Sequence, residues 1–266
     1  MTYDKNFTYF LGFLWSDGFI ERYRTILEIV EDDALEILEN IKSIDFLNIC
    51  TMRRARENRR PQMSIYFCDS MFYDNYQSKY FNDKSFRSPC DLIHDIPSEL
   101  VRYFYLGLID GDGSFYFNKK NGIRQFVITS TYEQDWSYVE NLFISLNITQ
   151  YEIRRVVNKK GNRSSLIRIK KYDEILSLYN YLYPNGYEIG LSRKYHKCSD
   201  IINNPPKNSS NKSKIDLMEL VNKVDELKNI NLVASFYNCN WRKIHNFCKK
   251  NNIITPKGFH KKIEKN

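Results

Sequence analysis

Two aspartates, Asp17 and Asp112, are the residues of this chain whose type and placement best suit chemistry. They stand 95 positions apart, each directly before a glycine, in "YFLGFLWSDGF" (Tyr9–Phe19) and "FYLGLIDGDGSF" (Phe104–Phe115). One Asp-Gly is a common turn dipeptide. Two copies in matching apolar frames mark an internal repeat. Small residues recur four apart in both, at Gly12 and Ser16 and at Gly107 and Gly111. On helices this spacing lines one strip with small groups, so two backbones can approach closely. Phe13, Leu14, Leu108 and Ile109 would fill the flanks. The acids would then sit at adjacent helix C-termini, where the helix dipoles do not neutralise them. Such a pair repels unless cations bridge it. Hard oxygen ligands suit Mg²⁺, which could polarise a phosphate, lower the pKa of a water and stabilise a leaving oxygen. Gly18 and Gly113 are expected to close the helices in left-handed caps.

The elements that position these acids follow from the change in hydrophobic period after each motif. In the second repeat, "SFYFNKK-NG-IRQFVITS" predicts two strands around a turn at Asn121-Gly122. A helix comes next in "EQDWSYVENLFISLNI", then a hairpin in "YEIRRVV-NKKGN-RSSLIRIKK" and a helix near Asp173–Tyr181. The first repeat offers a hairpin over Phe19–Val30, a helix over Asp32–Ser43, strands at Leu47–Arg54 and Met63–Cys68, and a helix over Ser70–Lys79. From acid to next helix takes 16 residues in repeat one and 23 in repeat two, so the first hairpin is the shorter. The expected fold class is α+β: a pseudo-symmetric pair of repeats, each with an antiparallel four-stranded sheet and helices, plus a small all-α domain. The expected boundaries are residues 1–98 and 99–202 for the repeats, 203–213 for a polar linker ("NNPPKNSSNKS") and 214–258 for the small domain.

"YLGLIDGDGSF" resembles the LAGLIDADG motif of homing endonucleases at nearly every position, and "FLGFLWSDGF" is a looser copy. Trp15 stands where the family has its first acid, here Asp110. The resemblance covers about residues 5–202. It implies a pseudo-symmetric monomer whose two saddle-shaped sheets lie along the major groove of a long, asymmetric double-stranded target. It implies metal-dependent hydrolysis of both strands across a narrowed minor groove. By analogy Asp17 and Asp112 hold Mg²⁺, with Mn²⁺ or Ca²⁺ as substitutes, and the carbonyls of Ser16 and Gly111 add ligands. Lys84 in "NDKSF" and Lys194 in "LSRKYHK" occupy the places of the family's basic residues, which position water and stabilise phosphate charge; Arg193 is the alternative to Lys194. Two other members of the family's range stay open: an inactive DNA-binding regulator, and a maturase whose partner is intron RNA.

The charge supports a polyanionic partner, with a formal net +8 and a pI near 9.0. Between Ile153 and Lys171 lie Arg154, Arg155, Lys159, Lys160, Arg163, Arg168, Lys170 and Lys171, and no acid. Arg53, Arg54, Arg56, Arg59 and Arg60 cluster at the matching hairpin of repeat one, and Lys120 and Arg124 flank the Asn121-Gly122 turn. Such faces are either simply solvated or face DNA, binding phosphates and reading guanine edges. The tail reads as three helices. "INLVASFYN-CN-WRKIHNFCKKNNI" resembles a helix-turn-helix, with Ala234 at the close packing and Cys239-Asn240 in the turn. Ile244 and Phe247 face inward, leaving Trp241, Arg242, Lys243, His245 and Asn246 for a groove. The alternative is a plain three-helix cap. The six cysteines form no C-x-x-C pair, which argues against zinc and for free thiols. No signal-peptide stretch and no apolar run of transmembrane length occur. The expectation is a soluble intracellular protein with no membrane partner, in cytoplasm or organelle matrix.

Overall fold

The computed structural model describes residues 2–21, 23–44, 46–55, 60–158, 160–206, 217–237, 241–251 and 253–255, with backbone alone at 217 and 243. The chain divides into two compact units, Met1–Pro205 and Pro206–Asn266.

In the first unit, α1 (Lys5–Asp17) starts at Asp4, whose carboxylate accepts from the Phe7 amide at 2.8 Å. That bond satisfies one of the free N–H groups of the first turn. The helix runs straight into β1 (Gly18–Glu21), which pairs with β2 (Arg24–Val30). α2 (Glu31–Ile41) opens with Glu31, Asp32 and Asp33, favourably placed at the positive end of its dipole. β3 (Cys50–Arg54) and β4 (Gln62–Phe67) complete an antiparallel sheet of order β1-β2-β4-β3. α3 (Ser70–Phe72) continues as a wider π-helical stretch, Tyr73–Phe81, where the sequence pattern predicts an ordinary helix. Side chains of Asn75, Ser78 and Asn82 take the carbonyls four residues back. Those carbonyls are thereby contested with the backbone N–H groups that would close α-type turns. A short α4 (Cys90–Asp95), not foreseen, precedes the second repeat.

The second repeat runs α5 (Val101–Asp112), β5 (Gly113–Asn118), β6 (Ile123–Ser130), α6 (Ser137–Ser145), β7 (Tyr151–Val157), β8 (Arg163–Ile169), α7 (Tyr172–Leu182) and α8 (Ser192–Ile202). Its sheet order, β5-β6-β8-β7, repeats that of the first. β1 has four residues and β5 six, so the first hairpin is the shorter one. Gly122 carries φ +70° in the β5–β6 turn, a conformation few other residues take cheaply. One face of each sheet packs into a shared core, through Leu27, Ile29 and Ile65 in one and Phe126, Ile128 and Ile167 in the other. The other face stays open, and β3 is exposed along its whole length.

The second unit is three helices, α9 (Leu217–Leu227), α10 (Ile230–Phe236) and α11 (Trp241–Lys250). They close on Leu220, Val224, Val233, Ala234, Ile244 and Cys248, with Phe247 partly buried against them. The Cys239-Asn240 turn lies outside the described residues, as do most of the expected linker and the end of the chain. Among the described residues no helix is long and apolar enough to cross a membrane.

Candidate active site at the helix seam

The seam between α1 and α5 is made of backbone meeting backbone. A Cβ added at Gly12 would stand 1.9 Å from the Phe104 carbonyl oxygen, and one at Gly107 2.0 Å from that of Tyr9. One at Gly111 would stand 1.8 Å from Ser16 Oγ and 3.1 Å from Asp17 Oδ2. The small-residue strips thus do what their spacing implies. Asp17 is exposed and Asp112 half-buried at the twin helix ends. Burial first, and then the charge of Asp17, push the Asp112 carboxyl up to about 7. Loss of solvation among the crowded helix ends also raises the Asp17 carboxyl, although its residue reaches solvent, with Lys194 and Lys84 opposing.

The expected left-handed caps are absent. Gly18 (φ −74°) and Gly113 (φ −81°) are extended, because each helix passes into a strand without a loop. Glycine is still required, since a Cβ would stand 2.5 Å from the Leu14 or Ile109 carbonyl oxygen. The helix-end carbonyls are capped instead by the two lysines. Lys84 Nζ donates to the carbonyls of Leu14 (2.9 Å), Trp15 (2.6 Å) and Ser16 (3.1 Å). Lys194 Nζ donates to those of Ile109 (2.9 Å), Gly111 (3.1 Å), Gly113 (2.8 Å) and Asp110. Burial pushes each ammonium down to about 8 against the pull of the acids: Asp112 then Asp17 for Lys84, Asp110 and then Asp17 for Lys194. Both lysines therefore stand at the aspartates and hold the helix ends that carry them. Arg193 is occupied elsewhere, bidentate to Asp33 at 2.6 and 2.5 Å.

Asp110 is fully buried behind the acids, accepting from Tyr9 Oη at 2.9 Å and from the Leu191 amide at 2.7 Å. It ties the residue before α8, the helix that carries Lys194, to the seam. Trp15, its counterpart, is buried against Phe81 at 5.6 Å between ring centroids. The departure from the motif at Trp15 thus leaves Asp17 untouched. A cleft of 180 Å³ opens beside Lys84 and Asp112, and Ser85, Ser130, Thr131 and Gln134 also line it. Sequence reading missed these four. Ser130, Thr131 and Gln134 stand close together at the end of β6, and no spacing or motif marks any of the four.

The donor set fits a hard divalent ion. Among the described residues no three His, Cys, Asp or Glu side chains gather as a metal cluster. Two mutually repelling carboxylates remain, with the Ser16 and Gly111 carbonyls beside them, each already accepting one lysine bond at 3.1 Å. A carbonyl oxygen has a second lone pair, and Mg²⁺ commonly binds through one or two carboxylates while keeping several waters.

The basic residues divide by strand register. Arg54, Arg154 and Arg168 fall on the open faces, but acids hold them: Arg54 by Glu28, and Arg154 and Arg168, with Lys170, by Glu152. Glu152 lies one residue outside the acid-free stretch, so the sequence count missed the charge that offsets it. Arg53 pairs with Glu31 at 2.8 Å. Arg155 and Arg163 share the opposite register and gather on the Tyr132 ring, at 6.0 and 5.5 Å. Arg124 corrects the expectation for that residue. It alternates with Phe126 and Ile128 on the core face, lies 5.3 Å from the rings of both Phe117 and Tyr172, and donates to the Asn204 carbonyl at 3.0 Å. Lys120, Lys160 and Arg60 are exposed at or beside hairpin ends. Arg56, Arg59 and Lys159 lie outside the described residues. Arg242 is exposed at the start of α11, 5.6 Å over the Trp241 ring, and Lys243 is the next residue of the helix.

No protein-family model and no curated protein match the chain. Among solved structures, the homing endonuclease I-WcaI bound to its DNA recognition sequence aligns with 74% of this chain and 88% of its own, at a TM-score of 0.52 and 16% identity. The fold is the LAGLIDADG two-repeat fold. Full-length DUF199/WhiA from Thermatoga maritima covers 92% of this chain and 89% of its own (TM-score 0.47, 11% identity). The LAGLIDADG meganuclease I-AabMI bound to uncleaved DNA covers 76% and 90% (TM-score 0.46, 9% identity).

Proposed function

We propose that the chain is a site-specific double-strand DNA endonuclease that hydrolyses phosphodiesters with a divalent metal, Mg²⁺ by its donor chemistry. One observation carries the reading: two carboxylates at the ends of two helices in backbone contact, each with a lysine beside it. Asp17 and Asp112, with the Ser16 and Gly111 carbonyls, would hold the metal. When bound, it supplies Lewis acidity at the scissile phosphate and an acidified water. Lys84 and Lys194 keep the two helix ends in register and set positive charge where phosphate charge builds up. In the cleft beside Asp112 the Ser130 and Thr131 hydroxyls already donate, to Gln134 Oε1 and the Ser85 carbonyl, so their oxygens would accept from a water. The second N–H of Gln134 Nε2, whose first goes to the Asp135 carbonyl, would donate to a phosphate oxygen. Both acids lie in one chain, so a monomer suffices for two strands. DNA would run along the open sheet faces, with phosphates at Lys120, Lys160 and Arg60.

The repeats, residues 1–98 and 99–202, would form the cutting body. The α10–α11 pair would form a tethered second DNA-binding module that uses Trp241, Arg242 and Lys243. The decisive experiment incubates the protein and Mg²⁺ with the duplex it binds best from a random-sequence library. One defined double-strand break, lost on chelation, is expected. Tight binding without a break under any divalent ion would overturn the enzymatic reading and leave a DNA-binding regulator.

A further inference from the structure

The open sheet faces carry chemistry that a charge count does not foretell. Strand register places Phe19, Ile26, Met52 and Tyr66 on the open side of the first sheet, opposite the core residues Leu27 and Ile65. Phe19 and Met52 are 44% and 45% exposed. On the second sheet the same parity selects Tyr116, Ile123, Val127, Val156 and Leu166, with Tyr116 and Ile123 at 46% and 55% exposure. Contiguous exposed apolar groups mark an interaction surface. The arginines among them are engaged. Glu28 holds Arg54, Glu152 holds Arg154 and Arg168, and Arg24 lies 5.1 Å over the Tyr66 ring. Gln62 and Gln125 share these faces, and Gln125 Oε1 accepts from Arg168 at 3.4 Å with its amide N–H groups directed elsewhere than to that arginine. Further exposed cations stand at the hairpin ends, in Lys120, Lys160 and Arg60.

We infer that the two faces recognise A·T-rich half-sites, with thymine 5-methyl groups packed against the apolar side chains and adenine edges met by Gln62 and Gln125. The inference rests on the proposed reading of these sheets as the DNA interface. In the major groove an A·T pair offers a methyl group and an edge that glutamine matches with two hydrogen bonds. A G·C pair offers two guanine acceptors that arginine reads best. An apolar side chain set against those acceptors would dehydrate them without return. A methyl group in the same place gains by burial. Arg54, Arg154 and Arg168 would each have to leave a glutamate before reaching guanine. The rim cations suit phosphates, which set position and carry no base information.

The test selects binding sites from random-sequence duplex DNA with the full-length chain and no added divalent metal. A·T pairs should be enriched on both sides of the site's centre. Replacing thymine with deoxyuridine in the selected duplex should weaken binding about fourfold for each contacted methyl. Glu152→Ala, which removes the acceptor that holds Arg154 and Arg168, should admit guanine in one half-site only. Half-sites rich in G·C would overturn the inference. So would A·T-rich sites whose affinity ignores deoxyuridine, because the preference would then come from duplex deformability. Retention of no duplex at all would sink the DNA reading itself, a result distinct from either.

Discussion

Gly12→Ala adds one methyl group at the tightest backbone contact of the seam. The new Cβ would stand 1.9 Å from the Phe104 carbonyl oxygen, 2.8 Å from its carbon and 3.0 Å from the Leu108 amide nitrogen. All three are backbone atoms, so no rotamer can relieve the clash. Restoring ordinary contact at 3.4 Å requires α1 and α5 to part by about 1.5 Å. Alanine favours a helix over glycine by about 1 kcal/mol, whereas overpacking a filled interior costs about 1–3 kcal/mol. A clash this deep belongs near the upper figure, so a net loss of about 2 kcal/mol is expected. In a body of this size that is a fall in Tm of roughly 4–8 °C. The parting also moves Asp17 away from Asp112. Misplacement of reacting groups by about 1 Å can cost a hundredfold in rate, so cleavage should fall by about that factor at temperatures where the variant is folded. Gly107→Ala, 2.0 Å from the Tyr9 carbonyl, should match it. The double variant should lose less than the sum, because both open one seam. Thermal unfolding and cleavage kinetics are the assays. A Gly12→Ala protein with raised Tm and unchanged cleavage would refute this reasoning, because helix propensity would then outweigh a contact that does not exist.

Three more outcomes are expected at and around the site. Lys194→Met should slow cleavage and also lower stability by about 1–3 kcal/mol, since it leaves buried helix-end carbonyls without donors. The half-exposed Lys84→Met should slow cleavage with the smaller loss of Tm, and equal negligible changes would show that neither lysine holds its helix end. Arg124→Ala should lower Tm and leave DNA affinity within about twofold, as checked by unfolding and binding titrations; the reverse pattern would return Arg124 to the DNA face. Removal of residues 206–266 should leave the cleavage position unchanged, shorten the footprint at one end, and flatten log K against log salt by about 0.9 for each phosphate no longer bound. An unchanged footprint and slope would make the three helices a cap or a protein-binding module.

Sequence patterning reached the repeat, the succession of helices and hairpins within each half and the helix seam, because those depend on periodicity and on glycine spacing that sterics makes strict. The placement of Asp17 and Asp112 at adjacent helix ends was readable for the same reason, as each closes a helix inside a recognisable frame. The capping of the helix ends was not. Whether Gly18 turns left-handed or extends depends on the element after it, and here a strand starts at once. The donors that replace the cap arrive from Lys84 and Lys194, some 70 and 81 residues away from the carbonyls they reach at Leu14 and Gly113. Arg124 misled because a basic residue beside a turn resembles a surface group, whereas strand parity with Phe126 turns it inward. Glu152 shows the matching error for charge. A run of cations along one strand says nothing of the acid that faces it from the next.

In the proposed mechanism Asp17 and Asp112 would together hold the divalent metal on which hydrolysis of both strands depends. The most direct measurement tracks supercoiled plasmid carrying the target site, separating nicked from linear product, for the wild type, Asp17→Asn and Asp112→Asn, with Mg²⁺ and with chelator. The wild type should give linear product only with Mg²⁺. Each variant should give none while binding the site with affinity close to that of the wild type. Linear product at the wild-type rate from either variant, or from the wild type without divalent metal, would contradict the shared-metal mechanism.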